Sequence, residues 1–433
     1  MTDANVNLWG RRIGAVSWDA GRGVGVFQYD PAFVSAGIEV SPIAMPVRET
    51  PYAFPAPALG ETFKGLPGLL ADALPDSFGN RLIDVWLAET ERRLEDFSPV
   101  DRLCYIGKRG VGALEFEPAV RSGNRGGEVE IARLVDLTNR VLDERGRLSG
   151  RLDGGDDGAA LEDILSVGTS AGGARAKAVL AWNPETGEFR SGQVDAEAGF
   201  EDWILKFDGV TDNGDRELAD PLGYGRIEYA YHLMAREAGI EMSECRLHHE
   251  GGRSHFMTRR FDRDAKGRKI HMQSLAALRH FDYHMPGAYA YEQAIETIRR
   301  LRLGMAVIGE QYRRAVFNIV ARNQDDHVKN IAFLMNRSGK WRLSPAYDVA
   351  YAYNPQGLWT GRHQMSMVGK RNGFERADLL RFAETSGLKI PVASRVIDRV
   401  LAAVGSWPRF ASEAGVEEPR ARRVGKTHRL VLR

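Results

Sequence analysis

The sequence predicts an α+β protein built as two lobes, a β-rich and then mixed part followed by a mainly helical part. Three observations carry this expectation. Short alternating runs parted by Gly and Pro fill residues 7–58, and apolar strands such as 178–182 and 203–207 mix with helical stretches before about residue 262. From Leu275 onward the apolar residues fall at helical spacing: Tyr312, Ala315, Val316, Ile319 and Val320 make one stripe within residues 311–321, and residues 291–301 read the same way. Inside that helical part sits one clear hairpin, the apolar pentad 331–335, the turn Asn336-Arg337-Ser338-Gly339-Lys340 and the return Trp341-Arg342-Leu343.

At 433 residues the chain exceeds what a single core usually serves, so several subdomains are expected. With 59 basic and 58 acidic side chains the net charge is +1, which excludes a polycationic body though not local contact with nucleic acid. Two cysteines, Cys104 and Cys245, far apart in the chain, fit a reducing compartment and no disulfide framework. There is no basic-then-apolar leader and no apolar run of membrane-spanning length, so the expectation is a soluble cytoplasmic protein with no membrane contact.

Residues 7–58 carry alternating runs such as Ile13-Gly14-Ala15-Val16-Ser17-Trp18 and Val24-Gly25-Val26-Phe27-Gln28-Tyr29, a small β-rich module. Residues 66–74 are helical in tone but interrupted by Pro67 and Pro75, after which Asp76 or Ser77 caps a helix reaching about Arg93. Tyr105-Ile106-Gly107 and Gly112-Ala113-Leu114-Glu115-Phe116 read as strand pieces around a glycine-rich turn. An amphipathic helix over 131–145 is followed by a Gly/Asp-rich linker over 150–158. The resulting division is 1–118, a β-rich module; 119–160, helix and linker; 161–262, a mixed lobe; and 263–433, a helical lobe.

Residues 203–207 form an apolar strand that contains Lys206, and an unpaired buried ammonium is costly. In the helix over 226–239, Glu228, Tyr231, Ala235 and Ala238 share one face, so Glu228 lies on the apolar stripe and is placed to meet Lys206. A loop of small residues, 166–177, precedes the strand 178–182; its backbone N–H groups can approach phosphate oxygens, although it fits neither of the common phosphate-loop patterns.

The most informative stretch is Asn323-Gln324-Asp325-Asp326-His327-Val328-Lys329-Asn330. Asp325 and Asn330 have the spacing of the Asp and Asn of a kinase catalytic loop, where one carboxylate takes the proton of the attacking hydroxyl and the amide oxygen reaches magnesium. The hairpin that follows returns the chain to Asp348, so Asn330 and Asp348 can share one Mg²⁺ with phosphate oxygens. A lysine–glutamate pair in the first lobe and an Asp/Asn loop in the second is a kinase-like order.

On these residues the chain resembles the HipA family of bacterial serine/threonine kinases, the toxins of type II toxin–antitoxin modules. The resemblance rests on N-x-D-D-H-x-K-N at 323–330 and S-P-x-Y-D at 344–348, with R-F-D-R at 260–263, S-A-G-G-A-R-x-K at 170–177 and the strand around Lys206. It implies a two-lobed, protein-kinase-like fold that uses ATP and Mg²⁺, with Asp325 as catalytic base and Asn330 and Asp348 as metal ligands. It further implies that Lys206 holds ATP phosphates with Glu228 behind it, that Ser170, Gly172, Gly173 and Lys177 lie on the nucleotide, and that the backbone of 259–261, from Arg259 to Phe261, meets adenine. His327 is expected to brace Asp325 or touch phosphate. The same resemblance implies autophosphorylation on the loop, at Ser170 or at Ser166, with Thr169 a further hydroxyl close by. That family's protein substrates are aminoacyl-tRNA synthetases and its partner is a helix-turn-helix antitoxin. The resemblance therefore implies a substrate of that kind or another translation factor, and DNA reached indirectly through such an antitoxin.

Two other readings stay open: a small-molecule phosphotransferase, and a non-catalytic nucleotide-binding regulator acting with such an antitoxin. Cys245-x-x-His248-His249 and His280-x3-His284 imitate fragments of zinc sites but lack the remaining ligands. The six Lys/Arg of residues 420–433 read as a solvated end, with DNA contact inside a complex as the sharper alternative.

Overall fold

In the computed structural model, residues 3–54, 62–89, 93, 96–120, 129–143, 168, 175–192, 198–210 and 222–432 are described. The architecture is α+β, as expected. Strands β1 (Asp3–Leu8), β2 (Arg11–Asp19), β3 (Val24–Tyr29) and β4 (Leu114–Glu117) form an antiparallel sheet in the order β3-β2-β1-β4. Alternation, interrupted by a bulge at Ile13 where Val6 and Asn7 pair with Gly14 and Arg12, sets its faces: Val6, Leu8, Ile13, Val16, Phe27 and Phe116 are buried in a core shared with residues 66–74.

A second antiparallel sheet has the order β6-β5-β7-β9-β8, from β5 (Lys177–Trp182), β6 (Phe189–Ser191), β7 (Glu201–Lys206), β8 (Cys245–Glu250) and β9 (Arg253–Arg259). Its register sets Lys177 opposite Lys206, and Lys206 opposite Phe256. The helix Ser77–Glu89 covers this sheet, burying Phe78, Leu82, Ile83 and Leu87 against Ala178, Leu180, Trp203 and Leu205. Asp76 begins that helix by accepting from the Gly79 amide at 2.6 Å.

The helix Tyr224–Glu237 lies on β9 so closely that a Cβ on Gly225 would fall 2.2 Å from Ser254 O. Its other face, with Ile227, Tyr231 and Met234, enters the core of the helical lobe, where Tyr312, Val316, Phe317, Ile397 and Trp407 surround it. The hairpin is present as β11 (Ala332–Met335) and β12 (Trp341–Leu343), extended to a three-stranded sheet by β10 (His271–Ser274).

Two expectations are corrected. Tyr105 and Ile106 end a helix, Pro99–Ile106, rather than a strand: Ser98 and Asp101 form a capping box, Pro99 starts the first turn and Gly107 stops it with φ 57°. The basic end is not solvated throughout, because residues Glu418–Gly425 are helical and His428 is buried against Tyr231 and Trp407. The expected linker over 150–158 lies outside the described residues. No described helix is long and apolar enough to cross a membrane.

Candidate active site

The helix Gly304–Ala321 stops at Arg322, which takes a left-handed conformation (φ 60°) and turns the chain sharply into Asn323. The Gln324 amide donates to Ala352 O at 3.0 Å, and a single 3₁₀ turn, Val328–Asn330, delivers the chain to β11. The hairpin then brings it back to Asp348, itself left-handed at φ 52°, a conformation uncommon outside glycine and best tolerated by Asp and Asn.

Three elements meet at Lys206, the last residue of β7. Its Nζ lies 2.5 Å from Glu228 Oε1 and is hydrogen bonded to Asp348 Oδ1. Burial alone would strip the proton from this amine, but Asp348 and Glu228 outweigh it, so the pKa rises and the lysine stays charged. Burial likewise opposes ionisation of Asp348, yet Lys206 and Lys177 hold its carboxyl down to about 2. Lys177 makes a buried ion pair with Asp76, Nζ to Oδ2 3.3 Å, with both side chains 3% exposed. Burial pulls Lys177 down and Asp76 up, each opposed by its partner. The first module thus sends a carboxylate to a lysine of the mixed lobe's sheet, beside Lys206, which nothing local in the sequence announces.

Asp325 sits at the mouth with its side chain 40% exposed. The Trp359 indole N–H donates to its Oδ1 at 2.6 Å, and His327 Nε2 is 3.8 Å from the same oxygen. Burial raises its pKa, opposed by His327 and Trp359, while Asp348 and Asp326 add to the rise. The carboxylate is therefore a stronger base than a free aspartate. The side-chain amide of Asn330 donates to Asp325 O at 2.9 Å, which leaves its oxygen end for a ligand. Asn330, Asp348, His327 and Asp326 line one cavity of about 30 Å³, enough for a water or a bare ion.

Asp326, next in the chain, has a different fate. It accepts from the Tyr291 hydroxyl (2.6 Å), His363 Nδ1 (2.8 Å) and the Gln364 amide (2.7 Å). Burial works against its ionisation, but those partners carry the pKa below the usual carboxylate value.

Arg259, expected beside adenine, is ion-paired with Glu201 (3.2 Å) and Glu244 (3.7 Å), and its amide donates to Glu244 O. Phe261 lies 5.5 Å from the Tyr347 ring, beside the turn that carries Asp348. Arg260 and Arg263 both grip Asp262, which also accepts from the Gly112 amide, so R-F-D-R ties the β-rich module to the second sheet. Ser166, Thr169, Ser170, Gly172 and Gly173 lie outside the described residues. Among the described residues no group of three or more His, Cys, Asp or Glu side chains is disposed to hold a metal. Asp348 and Asn330 supply hard oxygens, a set that fits magnesium when phosphate oxygens and water complete the shell. No sequence signal marks Trp359, Asp76 or His363 as part of the site; none lies in a motif, and each reaches it through the fold.

The HipA N-terminal domain model matches residues 4–117, and the HipA-like C-terminal domain model matches 169–407. A curated relative, Y4mE of Sinorhizobium fredii, named as a candidate kinase, is 26% identical over 181 residues. That match spans 39% of this chain and 42% of the relative's length. Among solved structures, the Shewanella oneidensis toxin–antitoxin complex of HipA, HipB and operator DNA contains a similar chain, with TM-score 0.69 at 17% identity. The likeness covers 98% of this chain and 94% of that one, and it concerns the fold. With both of its characteristic domains matched over most of the sequence, the chain belongs to the HipA family.

Proposed function

We propose that this chain is an ATP- and Mg²⁺-dependent serine/threonine kinase that acts on a protein hydroxyl. The observation that supports it best is the junction at Lys206, where a strand lysine is held by a helix glutamate and by Asp348, which lines one cavity with Asn330, itself hydrogen bonded to the backbone of Asp325. Magnesium, when bound with ATP, would supply charge neutralisation on the transferring phosphoryl group. Asp348 and Asn330 are the residues that would hold it.

The chain's own groups do the rest. Lys206, kept charged by its partners, holds the phosphates; Glu228 keeps it pointed into the cleft. Lys177 adds a second cation beside it, steadied by Asp76. Asp325, anchored at Oδ1 by Trp359 and flanked by His327, orients the incoming hydroxyl and takes its proton as the new O–P bond forms and ADP departs. Autophosphorylation on the loop at Ser170 or Ser166, an aminoacyl-tRNA synthetase or other translation factor as substrate, and a helix-turn-helix antitoxin partner belong to this proposal through the family. The likeness to the HipA of a HipA–HipB–DNA complex supports the antitoxin, and DNA would be reached through it.

Radiolabelled ATP incubated with the purified chain and a cell lysate tests the reading. A labelled protein band, lost on the order of 10²-fold or more in Asp325→Ala, is the expected outcome. Label appearing only in a small metabolite, or undiminished by the substitution, would overturn it.

A further inference from the structure

The segment after the helix Glu418–Gly425 runs into the back of the catalytic loop. His428 Nε2 lies 3.0 Å from the Tyr231 hydroxyl, and the Arg429 amide donates to Val320 O at 2.9 Å, on the last turn before the loop. The Arg429 guanidinium then points inward. Its Nη1 meets Ile319 O at 2.7 Å and His363 Nε2 at 2.8 Å; its Nη2 meets Gln324 Oε1 at 3.2 Å and Asn372 Oδ1 at 2.6 Å.

A guanidinium donates and never accepts. His363 Nε2, which receives from Arg429, must therefore be the bare nitrogen, and the ring proton sits on Nδ1. That proton is the one donated to Asp326 Oδ2 at 2.8 Å. Asp326 as a carboxylate can only accept and Arg429 can only donate. Together they hold the fully buried His363 with its proton on Nδ1 and its bare Nε2 on the guanidinium, and through that ring Arg429 supports the position of Asp326. On the other side it holds Gln324 directly, and Gln324 Nε2 donates to Thr360 O at 2.8 Å, beside the Trp359 that grips Asp325. The residues immediately before and after Asp325 are both tied to one arginine in the last turn of chain.

We propose that Arg429 is a positioning residue for Asp325, the C-terminal segment serving as a brace that fixes the catalytic loop from behind. The catalytic half of this inference rests on the phosphotransfer reading; the structural half does not.

The test uses the full chain with Arg429→Gln and Arg429→Lys. Lysine keeps the charge, but its single ammonium cannot span the four separate acceptors that the planar fork reaches. Long-range ¹H–¹⁵N spectra of the histidine rings, with His363 assigned by its loss in His363→Gln, read the tautomer. Wild type is expected to show a ring protonated at Nδ1 with a bare Nε2, and Arg429→Gln, which leaves no cation facing Nε2, a ring whose Nε2 takes up a proton at mildly acidic pH. Turnover should fall on the order of 10²-fold in Arg429→Gln, the cost of a small misplacement of a reacting group, while affinity for a fluorescent ATP analogue stays within about twofold. Arg429→Lys should fall between, and decides the matter if the glutamine variant does not fold. An unchanged His363 spectrum overturns the brace, as does equal loss of nucleotide affinity and turnover, which marks a merely structural residue. If wild type transfers no phosphate, the phosphotransfer reading fails, and the ring spectra still judge the brace.

Discussion

Asp325 and Asp326 are adjacent carboxylates whose pKa values move in opposite directions, and the difference comes from what each touches. Asp326 is enclosed by three donors and stays ionised; Asp325 receives the Trp359 indole and the neighbourhood of His327 against burial and two other carboxylates. A base whose pKa is raised loses activity as pH falls through that raised value, so the acid limb of kcat/KM should lie above the range of a free aspartate. Trp359→Phe removes a donor that lowers the pKa. Its acid limb should therefore move to still higher pH, and a limb that stays put or moves down would contradict the assigned contact.

At the scale of elements, the lysine–glutamate junction depends on one close approach. Gly225 lets the helix Tyr224–Glu237 rest on β9, where an added Cβ would meet Ser254 O at 2.2 Å and Phe256 N at 3.2 Å. Backbone atoms cannot step aside as a side-chain tip can, so Gly225→Ala must lift the helix and carry Glu228 away from Lys206. We expect a loss of about 1–3 kcal/mol in denaturant unfolding, typical of overpacking, together with weaker ATP affinity. The hairpin is the complementary case. Its apolar pentad, turn and return are legible because period and turn chemistry are local, and with them comes Asp348, whose place near Asn330 follows from chain reversal alone. The helix Pro99–Ile106 escapes a reading by strand pattern because the apolar residues near its end look like a strand; its true signal, Ser98-Pro99-x-Asp101, lies at the other end.

For the whole molecule, four of the five histidines buried among the described residues, His232, His255, His271 and His428, are lowered from 6.5 to about 4, with burial the main cause in each. A depressed folded pKa means the unfolded chain binds the proton first. The stability these groups contribute is thus complete above about pH 6.5 and is lost as pH falls toward 4, each ring giving up as much as about 1.4 kcal/mol for every pH step of one between those two values. Asp72 and Asp76, raised by burial, act in the opposite sense. The midpoint of urea unfolding should be clearly lower at about pH 5 than at about pH 7; a flat profile over that window would count against four neutral buried rings.

Residue order by itself determined the α+β class, the helical stripes, the hairpin, the pairing of Lys206 with Glu228 and the candidacy of Asp325, Asn330 and Asp348. Each depends on periodicity or on spacing within a few turns of chain, which covalent geometry makes readable. Only tertiary structure decided that Asp76 meets Lys177, that Trp359 holds Asp325, and that the basic end is drawn in through Arg429 instead of resting in solvent. Those contacts join residues from 34 to 105 positions apart. Their partners are selected by packing and by the cost of leaving a buried charge alone, forces that act only once the chain has closed on itself.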